Sequence, residues 1–337
     1  MNILITGGCG FLGARLARTL LATGSLTLLG GAAQPIARVI LVDRVAPPAD
    51  LQADTRVHYL SGDLYEQVTH GQLPLANSDV VFHLAAAVSG ECEADFDLGM
   101  RSNLDITRAL LDGCRHAGHA PVFVFSSSVA VFGDSPQQRL PEVIEDSTLP
   151  TPQNSYGSQK FIGEQLVADY TRKGYVQGRN VRLMTVSVRP GRPNGAASSF
   201  LSGMLREPLA GERARCPVAP ETAVALASPK NTVAGLIRAV TAPSEAWGAR
   251  TAVNLPALTT TVGDMAQALE RVAGPAASAL IDWVEDEQIA RIVTSWPSRI
   301  QATRALALGL RADPSIDAIL HDYLLENPQA IKIPLKG

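Results

Sequence analysis

The chain has no Lys/Arg run, no CxxC or His-flanked cysteine spacing, and no uninterrupted apolar stretch near the roughly 20 residues a membrane helix needs. Each absence excludes something. Without a basic run, and with a formal net charge of −3, the chain carries no polyanion-binding footprint, so neither nucleic acid nor a membrane surface is an expected partner. The four cysteines (Cys9, Cys92, Cys114, Cys216) are scattered, which argues for a reducing compartment and against a metal site or a disulfide framework. Met1 leads almost directly into an apolar strand with no basic and apolar leader before it, so a cytoplasmic protein is expected. What is present is globular: 46% hydrophobic and 18% charged residues. A length of 337 residues is long for one core and suits an α/β domain with an appended lobe.

Short apolar strands are expected at 2–6, 38–43, 57–60, 79–84, 121–126 and 181–189. Between them lie helical patterns at 11–22, 96–118 and 155–174. Strands alternating with amphipathic helices indicate βαβ units, hence an α/β fold with a doubly wound parallel sheet of the Rossmann type. After Gly191 the alternation is lost, and Pro193, Pro208, Pro217, Pro220 and Pro229 break the chain into short pieces. Residues 233–240 have helical spacing and 251–255 read as one more strand. The expected division is a dinucleotide-binding domain over 1–190, rejoined by 228–255, with a smaller substrate lobe from 191–227 and 256–337. Gly24 to Pro35 is a Gly/Ala-rich connection of unusual length.

Gly7, Gly10 and Gly13 form GxxGxxG directly after the first strand and at the opening of the first helix, around Phe11 and Leu12. Glycines there permit a tight turn and close approach of backbone to a pyrophosphate, and the helix N-terminus offers free N–H groups. Asp43 ends the second strand, where a carboxylate can accept hydrogen bonds from an adenosine ribose and repel a 2′-phosphate. NAD is therefore expected. The neighbouring Arg44 leaves NADP possible but disfavoured.

Tyr156 and Lys160 stand one helical turn apart. A lysine ammonium near a phenol favours phenolate and lowers its pKa. That is what a general base for an alcohol proton requires. A serine run, Ser126-Ser127-Ser128, lies upstream at a strand end.

These pieces, TGGCGFLG (6–13), VD (42–43), GDL (62–64), FHLAA (82–86), Asn103, FSSSVAVFG (125–133), SYGSQK (155–160) and SVRPG (187–191), resemble the extended short-chain dehydrogenase/reductase family, also called the NAD-dependent epimerase/dehydratase family, to about residue 325. The resemblance implies catalytic roles for Ser128, Tyr156 and Lys160, an adenine contact at Asp63 and Leu64, and a wall near the nicotinamide at Ala85 and Ala86, with Asn103 also among the cofactor residues. It also implies a homodimer. Dehydratases of the family carry an acidic residue just after the catalytic serine or threonine; here Val129 and Ala130 stand there, so elimination is not expected. The segments 85–103, 151–164, 186–200, 206–211 and 295–299 resemble the family's D-erythronate dehydrogenase branch. That implies oxidation of a small sugar acid at C2 to a 2-oxo-tetronate in carbohydrate metabolism. Two positions depart from the branch: Met184 stands where proline is expected, and Arg192 where lysine is.

Arg192 follows a strand at its carboxyl end, where ligands of open α/β sheets bind. It suits a bidentate carboxylate clamp, or equally a solvated loop position. Asn194, Ser198 and Ser199 suit substrate hydroxyls or turn and cap positions. Ser89, with the residues to Glu91, is a further substrate candidate, and His83, His116 and His119 receive no role. A nucleotide-sugar 4-epimerase with tightly held NAD remains the first alternative, since it uses the same Ser/Tyr/Lys set. A degenerate NAD-sensing module is the second, although such a protein loses the tyrosine or lysine.

Overall fold

Seven parallel strands form the centre of the protein in a computed structural model that describes residues 1–191 and 195–335. They are β1 (Asn2–Thr6), β2 (Arg38–Asp43), β3 (Val57–Ser61), β4 (Val80–His83), β5 (Val122–Ser128), β6 (Gln177–Leu183) and β7 (Val253–Asn254). Their spatial order is β3-β2-β1-β4-β5-β6-β7. The register runs Ile3 to Val39 on one side of β1 and Ile3 to Val80 on the other. The strand order reverses at β1 and β4, so their carboxyl ends open the crevice where such sheets bind ligands.

The helices that follow are α1 (Phe11–Thr23), α2 (Leu64–Thr69), α3 (Ile106–Ala117), α4 (Ser155–Arg172), α5 (Phe200–Leu209), α6 (Pro229–Thr241), α7 (Val262–Ala273) and α8 (Ile316–Glu326). Alternate residues of each strand feed opposite faces of the sheet. Ile3, Ile5, Val39, Leu41, Phe82 and Val124 pack on Leu16 and Leu20 of α1 and on Val233, Leu236 and Val240 of α6. Leu4, Ile40, Val42, Val81, Phe123 and Phe125 pack on Val68, Leu110, Leu111 and Val167 from the other side. A separate core joins Met204, Leu205 and Leu209 to Val262, Met265, Leu269, Ile319 and Leu320.

Four local expectations are corrected. The strand expected over 181–189 ends at Leu183, and Thr185–Val186 pairs instead with Leu226–Ala227 in a second sheet. Apolar residues recurring through 181–189 do not reveal that the chain has changed sheets. The single helix expected over 96–118 is a short helix Phe96–Gly99, a π-helical stretch Met100–Asp105 and then α3. The apolar spacing of the sequence does not separate the π-helical turn from the α-helical ones on either side. The Gly24–Pro35 connection folds back as a hairpin, Ser25–Thr27 against Ala33–Pro35. Finally, α5 stands in the stretch expected to be broken into short pieces; Pro208 sits near its end, too late to prevent the helix. Among the described residues no helix is long and apolar enough to cross a membrane, and no group of three or more His, Cys, Asp or Glu could hold a metal ion.

Candidate active site

A cavity of about 630 Å³ runs along the carboxyl ends of the strands, from the glycine loop at one end to Arg189 and Trp296 at the other. At the first end, β1 passes into the loop at Gly7, whose φ of +66° suits glycine. A Cβ on Gly13 would lie 2.1 Å from the Gly7 carbonyl, so only glycine lets α1 start this close to the strand. The N-cap, Gly10, has no side chain to cap the helix, and its first turn contains no acid. The amides at the start of α1 are therefore kept for an external acceptor on the cavity wall, which fits the pyrophosphate of a dinucleotide. Asp43 lies on the same wall, its Oδ2 accepting from the Cys9 amide at 3.0 Å and its Oδ1 from the Val45 amide at 3.2 Å. Those two bonds aim the carboxylate into the cleft from the end of β2.

At the centre of the cavity β5 ends in Ser128, whose Oγ accepts from the Ala130 amide at 3.1 Å and opens a short 3₁₀ turn, Val129–Val131. Helix α4 starts with Asn154 as N-cap, accepting from the Gly157 amide at 2.7 Å. A Cβ on Gly157 would lie 2.0 Å from the Ala130 carbonyl. Glycine at that position thus brings the first turn of α4 against the turn after Ser128, and Tyr156 against Ser128 itself. The Lys160 Nζ lies 5.6 Å from the centre of the Tyr156 ring and 4.9 Å from that of Phe125. Ser128, Tyr156 and Lys160 all face the cavity.

The charges differ from the expected ones. Burial pushes the Tyr156 phenol up to about 12, with the Ser128 hydroxyl opposing it. Burial also pushes the Lys160 ammonium down to about 8. Both groups sit in one dehydrated recess, and desolvation penalises phenolate and ammonium alike. The expectation that Lys160 by itself lowers the tyrosine pKa is therefore overturned for the protein without ligand.

Residues 3–243 match the NAD dependent epimerase/dehydratase family. The chain belongs to that family. NAD is its cofactor, consistent with the uncapped glycine loop and the placement of Asp43. The chain is 51% identical over 326 residues to the D-erythronate dehydrogenase of Cupriavidus necator, covering 96% of this chain and 98% of that one. Against the D-erythronate dehydrogenase of Haemophilus influenzae it is 44% identical over 324 residues, covering 96% and 99%. A crystal structure described as a nucleoside-diphosphate-sugar epimerase from Agrobacterium tumefaciens superposes with a TM-score of 0.87 at 40% identity, over 98% of this chain and 95% of that one.

The other residues expected at the site divide into three groups. Phe11, Leu12, Leu64, Ala85, Ala86, Ser89 and Ser199 line the cavity. The Ser89 Oγ accepts from the Ala197 amide at 3.1 Å, so it also ties the loop after β4 to the segment beyond Gly191. Asp63 and Asn103 are not on the cavity wall. The Asp63 carboxylate caps α2 through the Tyr65 and Glu66 amides and pairs with Arg44 at 2.5 Å. Asn103 is buried and holds the Ala87 backbone, accepting at 2.9 Å and donating at 3.2 Å. Arg192 and Asn194 lie outside the described residues. The sequence reading passed over Arg189, Ser202 and Trp296, all on the cavity wall. For Arg189 and Trp296 the signal was present in SVRPG and SWPSR, but a motif gives no direction to its side chains; Ser202 belongs to neither motif.

Proposed function

We propose that this family member oxidises D-erythronate at C2, transferring hydride to NAD and releasing one proton, to give 2-oxo-tetronate and NADH. The observation that carries the reading is the identity to D-erythronate dehydrogenases over almost the whole chain, an alignment long enough to include residues of both ends of the cavity lining. Bound NAD supplies the hydride acceptor and, in its oxidised form, a cationic ring. Tyr156 takes the C2 hydroxyl proton as the carbonyl forms. Ser128 holds the reacting oxygen against it. Lys160, still protonated at neutral pH with its pKa near 8, contributes positive charge beside the phenol. Burial raises the phenol, and positive charge brought by the oxidised cofactor would favour its ionised form.

The experiment is a panel of D-erythronate, longer sugar acids, erythritol and UDP-sugars, with NADH formation followed by absorbance. Robust turnover of a UDP-sugar with none of a four-carbon acid would overturn the assignment and favour an epimerase. Tyr156→Phe is expected to lose about 10²- to 10⁴-fold in turnover, the usual contribution of a positioned base, with NAD binding retained. Near wild-type turnover in that variant would remove Tyr156 from its role. A homodimer belongs to the same reading. It is supported by exposed Phe96, Leu98 and Ile162 on two helices that pack together, and sedimentation tests it.

A further inference from the structure

The cavity wall holds a guanidinium whose Nε has no hydrogen-bond partner among the described residues. The Arg189 Nε is buried without a hydrogen-bond partner, and among the described residues no carboxylate pairs with the side chain. The other buried arginines nearby are served: Arg182 by Glu164 at 2.7 Å and Arg206 by Glu207 at 2.5 Å. The backbone of Arg189 is fixed from both sides, its amide donating to the Ser202 Oγ at 3.0 Å and its carbonyl accepting from Arg206 at 2.7 Å. Its side chain is half-buried and lines the same cavity as Ser128 and Tyr156, with Ser198, Ser202 and Trp296 around it. Withdrawing a cation from water with no counter-charge is costly, and burial together with Arg206 disfavours its charged form. An incoming anion would relieve that cost.

We infer that Arg189 reads the carboxylate of the substrate, holding it in the guanidinium fork while the adjacent C2 hydroxyl meets Ser128 and Tyr156. The inference rests on the proposed sugar-acid activity and assigns to Arg189 the clamp that the sequence suggested for Arg192. A planar fork matches a carboxylate in two parallel hydrogen bonds, which a lysine ammonium does not reproduce. The glycine loop at the opposite end of the cavity takes the dinucleotide pyrophosphate, so Arg189 is left for the second ligand. Two anions could satisfy it, a small carboxylate or the diphosphate of a nucleotide sugar, and the carboxylate accords with the proposed reaction.

The test uses Arg189→Met and Arg189→Lys in the full chain, with thermal melts to verify folding. Oxidation of D-erythronate and of erythritol is measured, along with binding of D-erythronate, D-glycerate and UDP-glucose to the NADH complex by nicotinamide fluorescence. Losing a charge-assisted pair should raise KM and Kd for the acids about 10- to 150-fold in Arg189→Met. Arg189→Lys should fall between, and both should leave NADH affinity unchanged, with any turnover of erythritol reduced far less than that of the acid. Acid binding in Arg189→Met equal to wild type overturns the inference while the sugar-acid reading stands. So does loss of acid preference in Arg192→Ala but not in Arg189→Met. If D-erythronate binds in an Arg189-dependent way but is not oxidised, the inference stands and the reaction assignment falls. A wild-type complex that binds UDP-glucose and no small acid overturns both.

Discussion

Behind the Ser128 strand lies a buried ion pair whose removal should have a calculable cost. The Glu164 carboxylate of α4 accepts from Arg182 of β6 at 2.8 and 2.7 Å and from the Ser127 hydroxyl at 2.5 Å. The side chains are 2% and 5% exposed, so each charge depends on the other. Arg182 Cζ also stacks 4.8 Å from the centre of the Phe132 ring. Removing either partner leaves an uncompensated buried charge, at a cost of about 3 to 5 kcal/mol. With about 2.1 cal/mol/K of unfolding entropy per residue, a cooperative chain of 337 residues loses about 4 to 7 °C in Tm for such a change. Arg182→Met and Glu164→Leu should each show that loss in a thermal melt. The double variant should be far less damaged than the sum of the two, because an apolar pair of similar volume leaves no charge stranded. A double variant that costs the full sum would refute the argument that the stranded charge, rather than lost packing, sets the energy.

Two further outcomes follow from named residues. His83 is buried between the hydroxyls of Thr6 and Thr107, at 2.7 and 3.0 Å, and burial together with Lys160 lowers its pKa from 6.5 to about 3. The folded protein binds fewer protons there than the unfolded chain, so this stability is complete above pH 6.5 and is lost as pH falls towards 3. Between pH 6.5 and 5 the loss should reach about 2 kcal/mol in urea unfolding, and a His83→Gln profile should lack it; identical slopes would show that His83 does not titrate as argued. Asp43→Asn keeps an oxygen for only one of the Cys9 and Val45 amides and removes the charge, so the preference for NAD over NADP in kcat/KM should narrow by about tenfold or more. Wild-type preference for NADP would mean that Arg44 decides the cofactor and that Asp43 has been misread.

What could be read from the chain was local and periodic. The glycine loop, the strand ends at Asp43 and Ser128, and the helix carrying Tyr156 and Lys160 each have a sequence signature because backbone conformation or helical spacing demands particular residues. What could not be read depended on where the chain goes next. The apolar residues after Leu183 fit one continuing strand as well as a crossing into the sheet of Ala223–Ala227. That crossing is what delivers Arg189 to the cavity wall. The helices α5, α7 and α8 were hidden for a related reason: their apolar faces close on one another in a core of their own, and prolines at their margins draw attention to the breaks.

The Tyr156–Lys160 pair shows the limit of spacing in another way. Four residues on a helix guarantee nearness, and nearness to a cation favours phenolate. Nearness does not say how much water remains, and here burial raises the phenol, with the Ser128 hydroxyl opposing it. The same dryness lowers the lysine, so the two shifts have one origin rather than one causing the other. In the proposed reaction, positive charge brought by the oxidised cofactor would favour the phenolate. A substrate bound without oxidised cofactor would then meet a largely neutral phenol, a hydrogen-bond donor rather than an acceptor of the proton.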